Sequence, residues 1–311
     1  MAFSNVSDFI ITGFPGLHPN YYGLVAGLFF VLYLLIATGN IFILIFVAFE
    51  RSLHKPTYLI FCNLAVSDLA LSTTTVPKII SKFWFDDRTI SFYACFLQMF
   101  FVHFLGSFNS FVLGVMALDR FIAICNPLRY PALITNTTTV VLCALSWLIT
   151  MSLMIAVVVP AISLPYCRSN IINHCYCDHI SITRLACERV REVQVFAFGV
   201  AMFVLLAPLA FIIFSYTAII TSVRKISTFK QRHKVWSTCS PQLFIICLYY
   251  LPRCFVYLAN NLAFDISTDV RILIILLYTV FPPAVNPGIY CFRTQEIKTL
   301  LKKRIKSMQG Q

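Results

Sequence analysis

The chain has 311 residues, of which 59% are hydrophobic and only 12% charged, with a formal net charge of +12. Soluble domains carry about 25% charged residues, so a water-soluble fold is excluded. The basic excess is split among several short segments, which argues against a nucleic-acid surface.

Residues 1–21 hold no Lys or Arg and no compact apolar core, so they do not read as a cleavable leader. They are assigned as an extracellular N-terminus. Asn5-Val-Ser7 is a glycosylation sequon there, and Asn5 is the expected acceptor. Seven apolar stretches follow, at about 22–49, 57–80, 93–119, 139–161, 193–222, 235–261 and 271–291. Each approaches or exceeds the roughly 20 residues that span a bilayer. Open sheets cannot satisfy their backbone in lipid. The expected fold is therefore an all-α membrane protein, with a seven-helix bundle over 22–292 and a cytoplasmic tail over 293–311.

Lys and Arg set the orientation. The segments near 50–56, 120–137 and 223–234 and the tail hold two, two, five and six of them, fifteen of the 24. The alternate segments hold eight, and Arg253 lies inside a span. The N-terminus is expected outside and the C-terminus inside, as in a multi-pass plasma-membrane protein. A second sequon, Asn136-Thr-Thr138, falls on the inner side and is read as a chance match.

Polar residues inside spans are costly and mark function by default. Asp68 is the one acid deep in a span, with Asn40, Asn286 and Asn109 or Ser110 at comparable depth. The plain reading is a hydrogen-bonded clamp between helices. On span three, Met99, His103, Ser107 and Ser110 follow helical spacing. Span three ends on Asp119-Arg120, which serves either as an interfacial anchor or as a charge latch. Pro208, Pro252 and Pro287 interrupt spans five, six and seven.

The long segment before span five contains His174-Cys175-Tyr176-Cys177-Asp178-His179. Cys175, His174 and His179 could form a soft metal site. A structural zinc site takes four ligands, and a lid over a pocket is the preferred reading, with no metal. On span six, Tyr250, Arg253, Cys254, Tyr257 and Asn261 share helical spacing. Arg253 must reach water, pair with Asp178, Asp265 or Asp269, or meet an acidic ligand. The candidate ligand contacts are Met99, His103, Ser107, Tyr250, Arg253, Cys254, Tyr257, Asn261 and the lid residue His179. In the tail, Ile297, Leu300, Leu301 and Ile305 share one face of a short amphipathic helix that would lie on the bilayer surface.

Several ordered motifs carry a family resemblance. Met116-Ala-Leu-Asp-Arg-Phe-Ile-Ala-Ile-Cys-Asn-Pro-Leu-Arg-Tyr130 closes span three, with Phe121 where Tyr is usual. Gly39-Asn40 stands in span one. His54-Lys55-Pro56-Thr57-Tyr58 and Leu64-Ala65-Val66-Ser67-Asp68-Leu69 mark span two, and Trp147 span four. Ser215-Tyr216 ends span five, Lys234-Val235-Trp236-Ser237-Thr238-Cys239 opens span six, and Pro282-Pro283-Ala284-Val285-Asn286-Pro287-Gly288-Ile289-Tyr290 closes span seven. The chain resembles the odorant receptors, a branch of the rhodopsin-like G-protein-coupled receptors. Pro241-Gln242 departs from the pattern, where a small residue and a His are usual, and is expected to bend span six differently.

The resemblance implies a small organic odorant as ligand and a stimulatory heterotrimeric G protein as partner. It implies that Asp119, Arg120, Tyr216, Asn286, Pro287 and Tyr290 carry activation. It implies a sodium ion at Asp68, with Asn40, Asn109 and Asn286 around it. It implies disulfides Cys95–Cys177 and Cys167–Cys187, which leave Cys175 over. The lid string further resembles the fish-like branch that takes water-soluble odorants, a resemblance that admits acidic or amino-acid ligands without fixing the charge of the ligand. Val102 stands where amine receptors carry Asp, and span seven has no Lys between Arg271 and Arg293. Amine and retinal chemistry are therefore not expected. No internal repeat suggests a transporter, and no nucleophile-base pair suggests an enzyme.

Overall fold

The structure is a computed structural model that describes residues 6–167, 169–224, 229–261, 266–293, 296–300 and 302–303. In chain order it contains β1 (Asp8–Ile11), α1 (Tyr22–Phe49), α2 (Pro56–Phe85), β2 (Thr89–Ser91), α3 (Phe92–Cys125) and the short α4 (Tyr130–Leu133). Then come α5 (Asn136–Ile162), β3 (Ile171–Ile172), the short α6 (His179–Thr183), α7 (Val190–Arg224), α8 (Phe229–Asn261) and α9 (Thr268–Arg293). Seven of these helices, α1, α2, α3, α5, α7, α8 and α9, are long and apolar enough to cross a membrane. The seven-helix expectation holds.

The helices run further than the apolar stretches suggested. α3 continues to Cys125, so Asp119 is not at an open helix end but buried at 2% exposure. α7 reaches Arg224 and α8 starts by Phe229, so most of the basic loop between them is helix. Charged residues end the membrane-buried part of a helix without ending its hydrogen bonding. α8 also passes through Pro241-Gln242 without a break.

Lipid offers no hydrogen bonds, so several threonine hydroxyls inside the spans close on their own helix. Thr38, Thr75, Thr150 and Thr279 each donate to the carbonyl four residues back. Prolines create the harder problem. Each removes the N–H that would have bonded the carbonyl four residues earlier. Pro287 frees the Pro283 carbonyl, which accepts from Asn40 Nδ2 of α1 at 3.0 Å. Gly39 lets the two helices close there, since a Cβ on it would lie 3.0 Å from Pro287 Cβ. Pro208 frees the Val204 carbonyl, which accepts from Ser110 Oγ of α3 at 2.9 Å.

α3 packs against α2, α5, α7 and α8 and forms the axis of the bundle. Its partner on α5 is Trp147, which stacks on Phe108 at 3.7 Å and donates to Asn63 Oδ1 at 3.1 Å. α1 turns Leu24, Leu28, Val31 and Leu35 outward, where lipid covers them.

One end of the bundle carries a lid. β1 lies between β2, antiparallel, and β3, parallel, so three distant segments make one small sheet. Beneath it Phe9, Phe92, Phe96 and Tyr166 form an aromatic cluster. Disulfides Cys95–Cys177 and Cys167–Cys187 tie the lid to α3 and to itself. They span 82 and 20 residues. On loop-closure grounds they contribute roughly 4–5 and 3 kcal/mol. Gln98 adds a staple beside the first. It donates to the Thr74 carbonyl and accepts from the Cys177 N–H. Cys175 is a buried free thiol.

The tail helix is visible over 296–300, where Ile297 is fully buried and Leu300 packs on the core. Leu301 and Ile305 lie outside the described residues, as does Asn5.

Replacing Asn40 with Leu keeps its bulk but leaves the Pro283 carbonyl without a partner. Stability should fall by roughly 1–3 kcal/mol, read as a lower unfolding temperature of the purified protein in nanodiscs. An unchanged transition would mean that the carbonyl finds another donor.

Candidate functional site

Under the lid lies a cavity of about 1050 Å³ between α3, α5, α7, α8 and α9. Its walls are mainly apolar, with Val102, Val157, Val204, Leu205, Val256 and Ile275 among them. Polar residues line the rest, among them Arg184, Arg191 and Arg271 as well as Arg253, and an apolar wall with polar groups to orient the ligand is the usual construction of a small-molecule site.

Of the nine candidate contacts, His103, Ser107, Arg253, Tyr257 and His179 line the cavity. Met99, Tyr250 and Cys254 do not. Met99 is fully buried in the cluster beneath the lid sheet. Helical spacing placed it on the right face of α3 but too high, where the lid covers it. Tyr250 sits below the cavity, with its hydroxyl 2.7 Å from Ser110 Oγ. Cys254 packs against the lower core. The side chain of Asn261 lies outside the described residues, and so does Asp265. The structure adds His174, Tyr176, Asp178, Gln194 and Tyr278 to the lining.

The roof is polar. Asp178 caps α6 by accepting from the Ile180 and Ser181 N–H groups. Its other oxygen lies 3.9 Å from His103 Nε2. His103, His174 and His179 each have a buried Nε2 without a hydrogen-bond partner. Burial opposes the Asp178 carboxylate, but His174, His103 and His179 around it outweigh that and hold it below its ordinary 3.8. Burial lowers His174 as well. Burial and the neighbouring His103 push His179 down to about 4, against some pull from Asp178. Among the described residues no set of three such groups has the geometry to hold a metal ion, so the spacing of His174, Cys175 and His179 does not become a cluster.

The floor is set by Arg253. Its Nη1 donates to Tyr249 Oη at 2.5 Å, and its guanidinium lies over the rings of Tyr249 and Tyr278 at 4.4 and 4.9 Å. Tyr249 in turn donates to the Gly106 carbonyl of α3. Among the described residues no carboxylate pairs with Arg253. Asp178 faces the histidines, and Asp269 accepts from the Gly16 N–H. The signal for Tyr249 was its place four residues before Arg253, on one helical face.

Below the floor lies the polar core. Asp68 accepts from Asn109 Nδ2 at 3.1 Å and from Asn286 Nδ2 at 2.7 Å. Asn40 is near in sequence pattern but donates to the Ile36 and Pro283 carbonyls instead.

At the far end of the bundle, Asp119 accepts from Tyr130 Oη at 2.8 Å and Thr57 Oγ1 at 3.2 Å. Arg120 Nη2 lies 3.5 Å from the same carboxylate. The hydroxyls of Tyr216 and Tyr290 are buried without partners. Tyr290 stacks on Phe61 at 4.1 Å. Glu296 ties the tail down, 2.6 Å from both Lys55 Nζ and Tyr58 Oη.

Seven membrane-length helices, a lidded cavity at one end and a carboxylate-held arginine at the other define a heptahelical membrane receptor. An olfactory receptor family model matches residues 29–307. The chain is 37% identical to olfactory receptor 2AT4 of Homo sapiens, over 95% of this chain and 92% of that one. It is 35% identical to olfactory receptor 52K1 of Homo sapiens, over 93% and 92%. It is 36% identical to olfactory receptor 51E2 of Mus musculus, over 94% and 91%. The chain belongs to the olfactory receptor family. It is a multi-pass, G-protein-coupled odorant receptor and not an enzyme.

The roof has a pH consequence. An exposed His179 would titrate near 6.5 and the folded one near 4. Between those values the unfolded lid binds more protons than the folded lid, so lid stability is full above pH 6.5 and declines towards pH 4. Hydrogen-exchange protection factors across 171–187, corrected for the pH dependence of the intrinsic exchange rate, should fall on acidification through that window, and less so in His179→Asn. A flat profile would show that the imidazole is not buried as described.

Proposed function

We propose that this receptor detects a small odorant carrying an acidic group, with Arg253 as its anchor. The observation behind this reading is a guanidinium in the wall of an apolar cavity, attended by tyrosines and by no carboxylate among the described residues. A carboxylate ligand would supply two charge-assisted acceptors. His103, Ser107, Tyr257 and His179 would surround the rest of the ligand, and α7 would meet its apolar body near Val200 and Val204. The lid end faces the outside of the plasma membrane, which the Lys and Arg distribution supports. The partner at the Arg120 end is a stimulatory G protein that raises cyclic AMP. Arg120 would leave Asp119 as α8 swings, and Tyr216 and Tyr290 would turn their partnerless hydroxyls towards it. Asn286 and Pro287, where α9 lacks a backbone hydrogen bond, would carry the movement down from the polar core.

A second reading has its own support. Tyr249 and two ring faces already satisfy part of the guanidinium, so Arg253 would then be structural and the odorant neutral.

Cyclic AMP in cells expressing the receptor, challenged with odorant mixtures sorted by charge, separates the two. Carboxylates should activate it, and Arg253→Ala should weaken their potency by at least tenfold, from a charged hydrogen bond of about 1.5–3 kcal/mol. Responses to neutral odorants that survive the mutation would favour the second reading. In the same assay Arg120→Ala should abolish signalling at unchanged surface expression. Normal signalling from it would remove the latch.

A further inference from the structure

The cavity and the polar core share a wall. Leu71, Arg253, Tyr278 and Thr279 line both the ligand cavity and a small void around Asp68. Arg253 is therefore a fixed positive charge at the seam. Its seat is built into α3. A Cβ on Gly106 would come within 2.8 Å of Arg253 Nη2, so a larger residue there would push the guanidinium aside. Asn109, which holds Asp68, follows three residues later, roughly 4.5 Å along the same helix.

The void suits a mobile cation poorly. Its volume is about 10 Å³, room for roughly one water. Asp68 is the one acid in its lining. Both carboxylate oxygens already accept amide N–H groups. A hard cation needs oxygen donors on most sides. Turning the Asn109 and Asn286 amides to offer their oxygens would strip Asp68 of both donors. As placed, those two oxygens are buried and without partners, which one bridging water would satisfy.

We propose that Arg253 is the tethered counter-cation of the Asp68 pocket, doing electrostatically what a sodium ion would do there, and that this receptor is indifferent to sodium. Asn109 completes the arrangement, because a neutral amide at that position leaves one buried negative charge for one fixed positive charge. The ligand cavity and the polar core are then coupled by charge. Any ligand that engages Arg253 changes the field at Asp68 without touching it.

The inference concerns the ligand-free receptor and stands whichever odorant class is correct. The test is thermal unfolding of the purified full-length receptor in nanodiscs, in sodium chloride and in N-methylglucamine chloride at equal ionic strength. The wild-type transitions should coincide. Arg253→Gln combined with Asn109→Asp should gain a sodium-specific rise in unfolding temperature, and adding Asp68→Asn should abolish it. Arg253→Gln alone, which keeps a donor for Tyr249, should gain a smaller rise and serves if the combined variant does not fold. A wild-type rise in sodium that Asp68→Asn removes would overturn the proposal. Folded variants that remain indifferent to sodium would overturn it too, since Arg253 would then not be what excludes the ion.

Discussion

The absence of water inside a bilayer governs this structure more than any single contact. Every backbone carbonyl in a span needs a donor from the protein. Most get one from the helix itself. A carbonyl freed by proline does not, and at Pro208 and Pro287 the bundle answers with a side chain from a neighbouring helix. Asn40 reaches the carbonyl freed by Pro287, and Ser110 reaches the one freed by Pro208. These contacts tie α1 to α9 and α3 to α7 at the points where those helices are weakest. Proline-interrupted helices that are stitched by one or two replaceable hydrogen bonds are suited to move between two arrangements.

α3 links the levels of the molecule. Its lid end carries Cys95 and Gln98, which hold the lid. One to three turns lower, His103 and Ser107 face the cavity, and the Gly106 carbonyl takes Tyr249. Asn109 grips Asp68, and Ser110 meets Tyr250. Its far end buries Asp119 beside Arg120. A change at any level acts on one continuous rod, so the cavity under the lid and the Asp119–Arg120 end share a mechanical element.

The site was partly legible before the structure. His103, Ser107, Arg253 and Tyr257 were recognisable because polar residues in a span are costly and helical spacing gives their face. Spacing gives a face but not a depth relative to a lid. Met99 was therefore placed in the cavity although the lid sheet covers it. Tyr278 and Asp178 were harder to see as lining, because each reaches the cavity through a contact with a residue far away in sequence. The polar core was clearer, as Asp68, Asn109 and Asn286 had few other places to go.

The sequence by itself determined the seven spans, the axial order of polar residues along each and the family motifs at their ends. These follow from local quantities, namely apolar length, helical period and the position of basic residues. Only the tertiary structure decided which side chains answer Pro208 and Pro287, what Arg253 faces and how the three lid strands pair. Those outcomes depend on helix rotation and on depth against a neighbour. Packing sets both, and no local pattern in the chain encodes the position of the partner.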